Sequence, residues 1–220
     1  MGFLYRLAPR RPYAAQSPVE SPAPRGEDPI FSTKALRKFL GTLSAKEAPV
    51  LMDLAPVVSG NLNFFGDHLG CKVLIEDVYG EVERHAKAGT LEELPAVFAT
   101  RFAHADASVD GILCWDLMDY LDRPAAQALA DQLTRMLRPE GALLAFFGTA
   151  QPRDAHYTRY IIVDDVNLRY RAYPASRGRQ AILANRDIIR LFDRLRVSDS
   201  FLLQNNLREI LFRKPSYETR

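Results

Sequence analysis

The residues this chain has least of constrain it first. Among 220 residues there are two cysteines, one tryptophan and four histidines. Cys71 and Cys114 sit inside strand-like apolar runs, where a small buried thiol is the expected state, so neither a disulfide framework nor a redox pair is expected. His68, His85, His104 and His156 are scattered without ligand spacing, and no metal site is expected. No window approaches the run of about eighteen apolar residues that reads as a membrane span. MGFLYRLAPRRP breaks too early to supply the apolar centre of a signal peptide. A cytoplasmic protein without a membrane partner is therefore expected.

Glycine is scarce where it would matter most. In VLMDLAPVVSGNLNFFGDHLG, Val50 to Gly70, an apolar run ends in Asp53 and a helical pattern begins near Asn61. The loop between them holds a single glycine, Gly60, where nucleotide-cradling turns usually carry two or three. The G-x-G-x-x-G of nicotinamide-dependent oxidoreductases is absent, which argues against that class.

What remains is the makeup of a globular chain, 47% hydrophobic and 25% charged. Six of its fourteen prolines fall within residues 1–30, which lack hydrophobic periodicity. That segment reads as a disordered or draped arm, dispensable for folding, ahead of a domain over 31–220. Ser32 is placed to cap a helix carrying Leu36, Phe39, Leu40 and Leu43 at the spacing of one apolar face. Pro49 to Leu54 reads as a buried strand, the pattern from Asn61 as a helix stopped by Gly70, and GCKVLIED as a second strand. A polar helix near Gly80 to Lys87 follows. TLEELPAVFATRFAHADASVD gives a weakly patterned third strand and GILCW a clear fourth. Pro124 opens the best helix in the chain, RPEG ends it, and ALLAFF is the fifth strand. Strands alternating with amphipathic helices imply βαβ units and a mostly parallel sheet. Ligands on such sheets lie beyond the carboxyl ends of the strands. The residues to watch are therefore Asp53, Glu76, Asp77, Trp115 and Asp116.

After the fifth strand the pattern changes. YTRYIIVDDVNLRYRAY reads as a hairpin inserted at about 157–173, turning at Asp, Val and Asn. Asn185 is placed to cap a helix carrying Ile188, Leu191, Phe192 and Leu195. The two last apolar runs are separated only by QNN, too short for a parallel crossover, so the last strand must run antiparallel beside its predecessor.

This order of elements resembles the class I S-adenosylmethionine-dependent methyltransferases, over about residues 32–215. DLAPVVSGN, VLIED, CWDLMDYL and RPEG stand where that family has its D-x-G-x-G-x-G loop, the acid ending the second strand, the segment after the fourth strand and the end of the following helix. The resemblance implies an α/β, Rossmann-like, mostly parallel seven-stranded sheet with helices on both faces and an antiparallel last strand. It implies S-adenosylmethionine as cofactor, held by Asp53, Ala55, Ser59, Gly60 and Asn61 at the methionine end and by Asp77 or Glu76 at the ribose. Counting back from Gly70 favours Asp77, and counting forward from Asp53 gives Glu76. Either acid could instead cap a following helix or pair with a lysine. Phe98 falls where the family has its adenine-binding acid and could pack on the ring or fill core. Trp115 could stack on adenine or on a flat acceptor, and Asp116 or Tyr120 could orient an acceptor group. Ala55 and Pro56 depart from the glycine pattern. A side chain at a left-handed position costs about 1 to 2 kcal/mol, so a changed loop path is expected.

Formal charge is +2 overall but uneven, with balances of +1, −5 and +6 for residues 1–30, 31–150 and 151–220. The basic C-terminal third includes Arg169 and Arg171, which suit a small-molecule or acidic acceptor, although alternate arginines are equally what a solvent-facing strand shows. No nucleic-acid motif accompanies the charge, so a nucleic-acid partner is not expected. Nothing in the pattern speaks to oligomeric state. Two readings of function follow: a methyltransferase with a divergent cofactor loop, and a methyltransferase-fold binding or interaction module that has lost turnover.

Overall fold

The computed structural model describes residues 28–151, 155–180 and 182–216. Most of the proline-rich arm, residues 1–27, lies outside the described residues. A central sheet is built from β2 (Val50–Asp53), β3 (Lys72–Ile75), β4 (Val109–Trp115), β5 (Leu137–Gly148), β8 (Arg196–Leu202) and β9 (Leu207–Arg213), in the order β3-β2-β4-β5-β9-β8. β3, β2, β4 and β5 pair in parallel, and β9 runs antiparallel to both β5 and β8. The antiparallel close follows from the short QNN connection. β4 is buried along its whole length, as a strand covered on both faces must be.

The helices are α1 (Leu36–Ser44), α2 (Ser59–Leu69), α3 (Val78–Ala88), α4 (Leu94–Arg101), α5 (Arg123–Met136) and α6 (Asn185–Leu191). They cover both faces of the sheet. In α1 the expected face, Leu36, Phe39, Leu40 and Leu43, is buried. Its Phe39 and Leu43 rest directly over Gly111 of β4. α2 ends at Gly70, whose φ of 59° is the left-handed stop that its sequence position implied.

Four expectations are corrected, the fourth at RPEG below. The segment read as a third strand forms α4 instead, so the sheet has six strands and not seven. Pro95 sits in the first helical turn, where it costs no hydrogen bond, and Leu94 and Phe98 bury together at four-residue spacing. Ser32 does not cap α1, because it belongs to the short strand β1 (Ile30–Ser32). Thr33 Oγ1 accepts from the Leu36 N–H at 3.3 Å, and the buried Glu209 of β9 accepts from the N–H groups of Lys34 and Ala35 at 2.8 and 3.0 Å. Asn185 is the first residue of α6 and not its cap, a place taken by Ala184.

A second, three-stranded sheet has the order β1-β7-β6, with β6 (His156–Ile162) and β7 (Asn167–Pro174) forming the hairpin. Its turn is fixed by Asp164, whose Oδ1 accepts from the Val166 N–H at 2.8 Å. β1 pairs along β7, and Pro29 adds a carbonyl that accepts from the Tyr170 N–H at 2.9 Å. Among the described residues, no helix is long and apolar enough to cross a membrane.

Instead of simply ending α5, RPEG opens β5 through a tight bend. Glu140 takes a φ of 63°, and a Cβ on Gly141 would lie 2.8 Å from the Arg138 carbonyl oxygen and 3.0 Å from that of Asp110. Gly66 in α2 has nothing within 4 Å of such an atom. Gly141→Ala is therefore expected to destabilise by about 1 to 3 kcal/mol. Gly66→Ala should stabilise by roughly 0.5 to 1 kcal/mol. Urea unfolding of the two variants checks both signs.

Candidate functional site

The carboxyl ends of β2, β3 and β4 bring Asp53, Glu76, Asp77, Trp115 and Asp116 to one edge of the sheet. Trp115 is the centre of this edge. Its φ of 50° is a left-handed conformation that a bulky side chain rarely adopts. From there the indole N–H donates to Asp53 Oδ1 at 2.7 Å, and the ring stacks on Tyr160 of β6 at 5.0 Å and 5°. Phe146 of β5 meets both rings edge-on.

Asp53 is buried, and the same Oδ1 also accepts from the Ala55 N–H at 3.0 Å. Burial pushes its carboxyl up to about 6, against the pull of these two hydrogen bonds. Ala55 itself is buried and does not take positive φ, so the loop has found a path without the strain its missing glycines would impose. Ser59 and Gly60 are exposed at the start of α2, where the first N–H groups of a helix lack intrahelical partners. Asn61 turns inward. Its Nδ2 donates to the Tyr160 carbonyl and its Oδ1 accepts from the Ile162 N–H, both at 2.9 Å, clamping the hairpin onto α2.

The two ribose candidates separate. Glu76 accepts from Arg101 at 3.2 Å and lies 2.7 Å from His104 Nε2, within a network that also holds Glu81. Asp77 is exposed and caps α3 through Oδ1, which accepts from the Gly80 N–H at 2.8 Å. Phe98 is fully buried in α4.

Asp116 is buried at the end of β4 among three donors. Tyr79 OH lies 2.6 Å from Oδ1, and Tyr120 OH and Arg179 Nη2 lie 3.3 and 3.0 Å from Oδ2. Tyr120 OH is also 2.9 Å from the His156 carbonyl. Asp119, beside this group, accepts from the Gly148 N–H at 2.6 Å. Burial raises its carboxyl to about 7, with Arg179 opposing and Asp116 adding to the rise. Arg179 holds its proton more tightly than a free guanidinium, because Asp116 and Asp119 outweigh the cost of burial. Arg171 pairs with Asp28 at 2.6 Å, two residues from Arg169 on β7.

Tyr79, Asp119 and Tyr160 were not singled out by sequence reasoning. The alternation YTRYII carries a signal for Tyr160, since Thr158, Tyr160 and Ile162 form the buried face of β6. Tyr79 follows Asp77 in the first turn of α3 but has no pattern of its own. Burial lifts the Cys71 thiol to about 11 and the Cys114 thiol well above its usual value, so both are inert. No group of metal-ligating side chains occurs among the described residues.

No protein-family profile matches the chain, and no curated protein matches it. Solved structures do. The CcbJ methyltransferase from Streptomyces caelestis aligns at 14% identity over 82% of this chain and 95% of that one, with a TM-score of 0.50. The 1,6-didemethyltoxoflavin-N1-methyltransferase of Burkholderia thailandensis, solved with 1,6-didemethyltoxoflavin and S-adenosylhomocysteine, aligns at 15% identity over 82% and 78%, with a TM-score of 0.46. At such identities the likeness is one of fold. The chain has a Rossmann-like methyltransferase fold.

The raised Asp53 carboxyl gives a signed prediction. An unfolded aspartate ionises near 3.8, so between about pH 4 and 6 the folded state alone keeps the proton, and stability falls as pH rises through that window. The full difference is roughly 3 kcal/mol. Asp53→Asn keeps the accepting Oδ1 and removes the charge. The variant should melt at the same temperature as the parent at pH 4 and several degrees higher at pH 8; a lower melting temperature at pH 8 would contradict this account of the site.

Proposed function

We propose that the chain is an S-adenosylmethionine-dependent methyltransferase whose cofactor lies along the carboxyl edge of β2, β3 and β4. The observation that carries this reading is the pairing of an exposed, open start of α2 at Ser59 and Gly60 with the exposed carboxylate of Asp77 at the end of β3. The N–H groups of a helix start, with its dipole, suit the methionine carboxylate. Asp77 uses one oxygen for its cap and has the other for ribose hydroxyls. Glu76 is the poorer candidate, because Arg101 and His104 already engage it. The cofactor supplies a sulfonium-bound methyl group, whose in-line transfer needs alignment more than a strong base. Trp115 and Tyr160 then form the wall beside the methyl end, and the hairpin covers it. Asp116 and Tyr120 shape the acceptor side, where Arg169 and Arg171 favour an acidic acceptor once Asp28 is displaced from Arg171.

A second reading, a binding module without turnover, is favoured by one feature. Asp53, Asn61 and Asp116 all have their hydrogen bonds satisfied inside the chain, and Trp115 is sealed under Tyr160.

Calorimetry with S-adenosylmethionine and S-adenosylhomocysteine tests both readings. Saturable binding is expected, and Asp77→Asn, which retains a capping side chain but loses the charge, should weaken it about tenfold. Absence of heat with either compound at millimolar concentration would sink the methyltransferase reading and leave the interaction module. Binding without methyl transfer to any of a panel of acceptors would favour the second.

A further inference from the structure

The central sheet ends in β3 on one side and β8 on the other, and the two edges are built differently. At β8 the ladder with β9 is broken by a bulge between Val197 and Asp199, and Asp199 is tied to Lys38. Bulges and charges are devices that blunt an open edge. β3 pairs with β2 in unbroken register, from Lys72 beside Val50 to Ile75 beside Asp53. The Lys72 N–H donates to the Pro49 carbonyl at 2.9 Å and the Glu76 N–H to the Asp53 carbonyl at 2.8 Å. In a parallel ladder alternate residues turn both backbone groups to the same neighbour, so those of Val73 and Ile75 turn away from β2. Among the described residues, no other strand and no loop pairs with them. β3 lies at the edge because the segment that follows it forms α4 and supplies no strand. Val73, Leu74 and Ile75 are accordingly only partly buried.

We propose that the outer edge of β3 is a self-association surface, where a second copy of this chain adds its own β3 antiparallel about a two-fold axis at Leu74. The residues of the strand select the partner and the register. KVLIE, Lys72 to Glu76, runs from a base through three apolar residues to an acid, and is therefore its own complement when reversed. With Leu74 opposite Leu74 of the second copy, Val73 faces Ile75 of the second copy, and the outward backbone groups of both strands are all used. Lys72 then stands opposite Glu76 of the second copy, at a position without ladder hydrogen bonds, where facing side chains come closest. An axis moved to Val73 or Ile75 would set Lys72 or Glu76 against Leu74 instead. Lys72 is exposed. Glu76 is held at the strand end by His104 and by Arg101, which divides its guanidinium between Glu76 at 3.2 Å and Glu81 at 3.0 Å and so leaves Glu76 charge for a second base. A two-fold contact uses the same patch on both copies and closes on itself, and the edge left over is the blunted one, so assembly stops at two. The proposal stands on the sheet edge and does not rest on methyl transfer.

Sedimentation of the full chain from about 1 to 500 μM tests it, with mass expected to rise from one chain to two at a Kd of about 10 to 100 μM, as suits a small contact. Lys72→Glu should weaken association about tenfold or more, because it sets like charges against each other on both sides of the axis. That side chain is exposed, so the melting temperature of the dilute variant should match the parent's. Val73→Pro removes an outward N–H that β2 does not use and should also weaken association; Lys72→Glu alone decides should this variant fail to fold. Val197→Lys, on β8, should leave the mass unchanged. A chain that stays monomeric throughout would overturn the proposal. So would a dimer indifferent to Lys72→Glu, or one lost with Val197→Lys, since either would place the contact elsewhere.

Discussion

Trp115 adopts a backbone conformation that costs a bulky residue about 1 to 2 kcal/mol, and the rest of the carboxyl edge depends on it. The turn carries its indole off the end of β4 toward β2, where the N–H meets Asp53, and lays its face under Tyr160. An aromatic pair contributes about 0.5 to 1.5 kcal/mol beyond the area it buries, and a hydrogen bond to a charged group about 1.5 to 3. The strain is thereby offset on the spot. The same contact fixes where the hairpin sits, because Tyr160 is at once the stacking partner of Trp115 and the residue whose carbonyl Asn61 holds.

The electrostatics of the edge follow from that closure. With the hairpin in place, Asp53, Asp116 and Asp119 are shut away from water, and each is answered by donors drawn from distant segments: Trp115 for Asp53, Tyr79 and Arg179 for Asp116, the Gly148 N–H for Asp119. Desolvation still wins at Asp53 and Asp119, which hold protons to about pH 6 and 7. A buried guanidinium between two carboxylates is a poor source of net stability but a strict one for geometry, since removing one partner leaves a charge uncompensated. Arg179 thus ties the segment after the hairpin to the end of β4. Tyr160 and Arg179 together join the hairpin and the segment after it to the carboxyl edge.

Much of this fold is legible in the sequence because its signals are local. Gly70 stops α2, Pro124 opens α5, and the QNN spacing forces the antiparallel close. The third strand failed for a local reason too: LPAVFATR is apolar at four-residue spacing, and only the weak overall pattern hid a helix. What could not be read was every contact that joins residues far apart. Glu209 caps a helix 174 positions away, and Asn61 grips a strand about a hundred positions on. Asp53 was legible as the end of a strand, but nothing local says that Trp115 bends back to meet it. Asp77 and Glu76 were indistinguishable by register, and only the packing of α4, which brings Arg101 and His104 to Glu76, tells them apart.

The central claim is that the proposed cofactor site and the Trp115–Tyr160 stack are one unit. Trp115 is the only tryptophan in the chain, so its indole N–H gives a single resonance in a proton–nitrogen correlation spectrum, and that N–H is the one donated to Asp53. Adding S-adenosylhomocysteine should move this resonance progressively to saturation, with the Asp77→Asn variant needing about tenfold more ligand to reach the same point. An indole resonance that stays fixed in millimolar ligand would contradict the account.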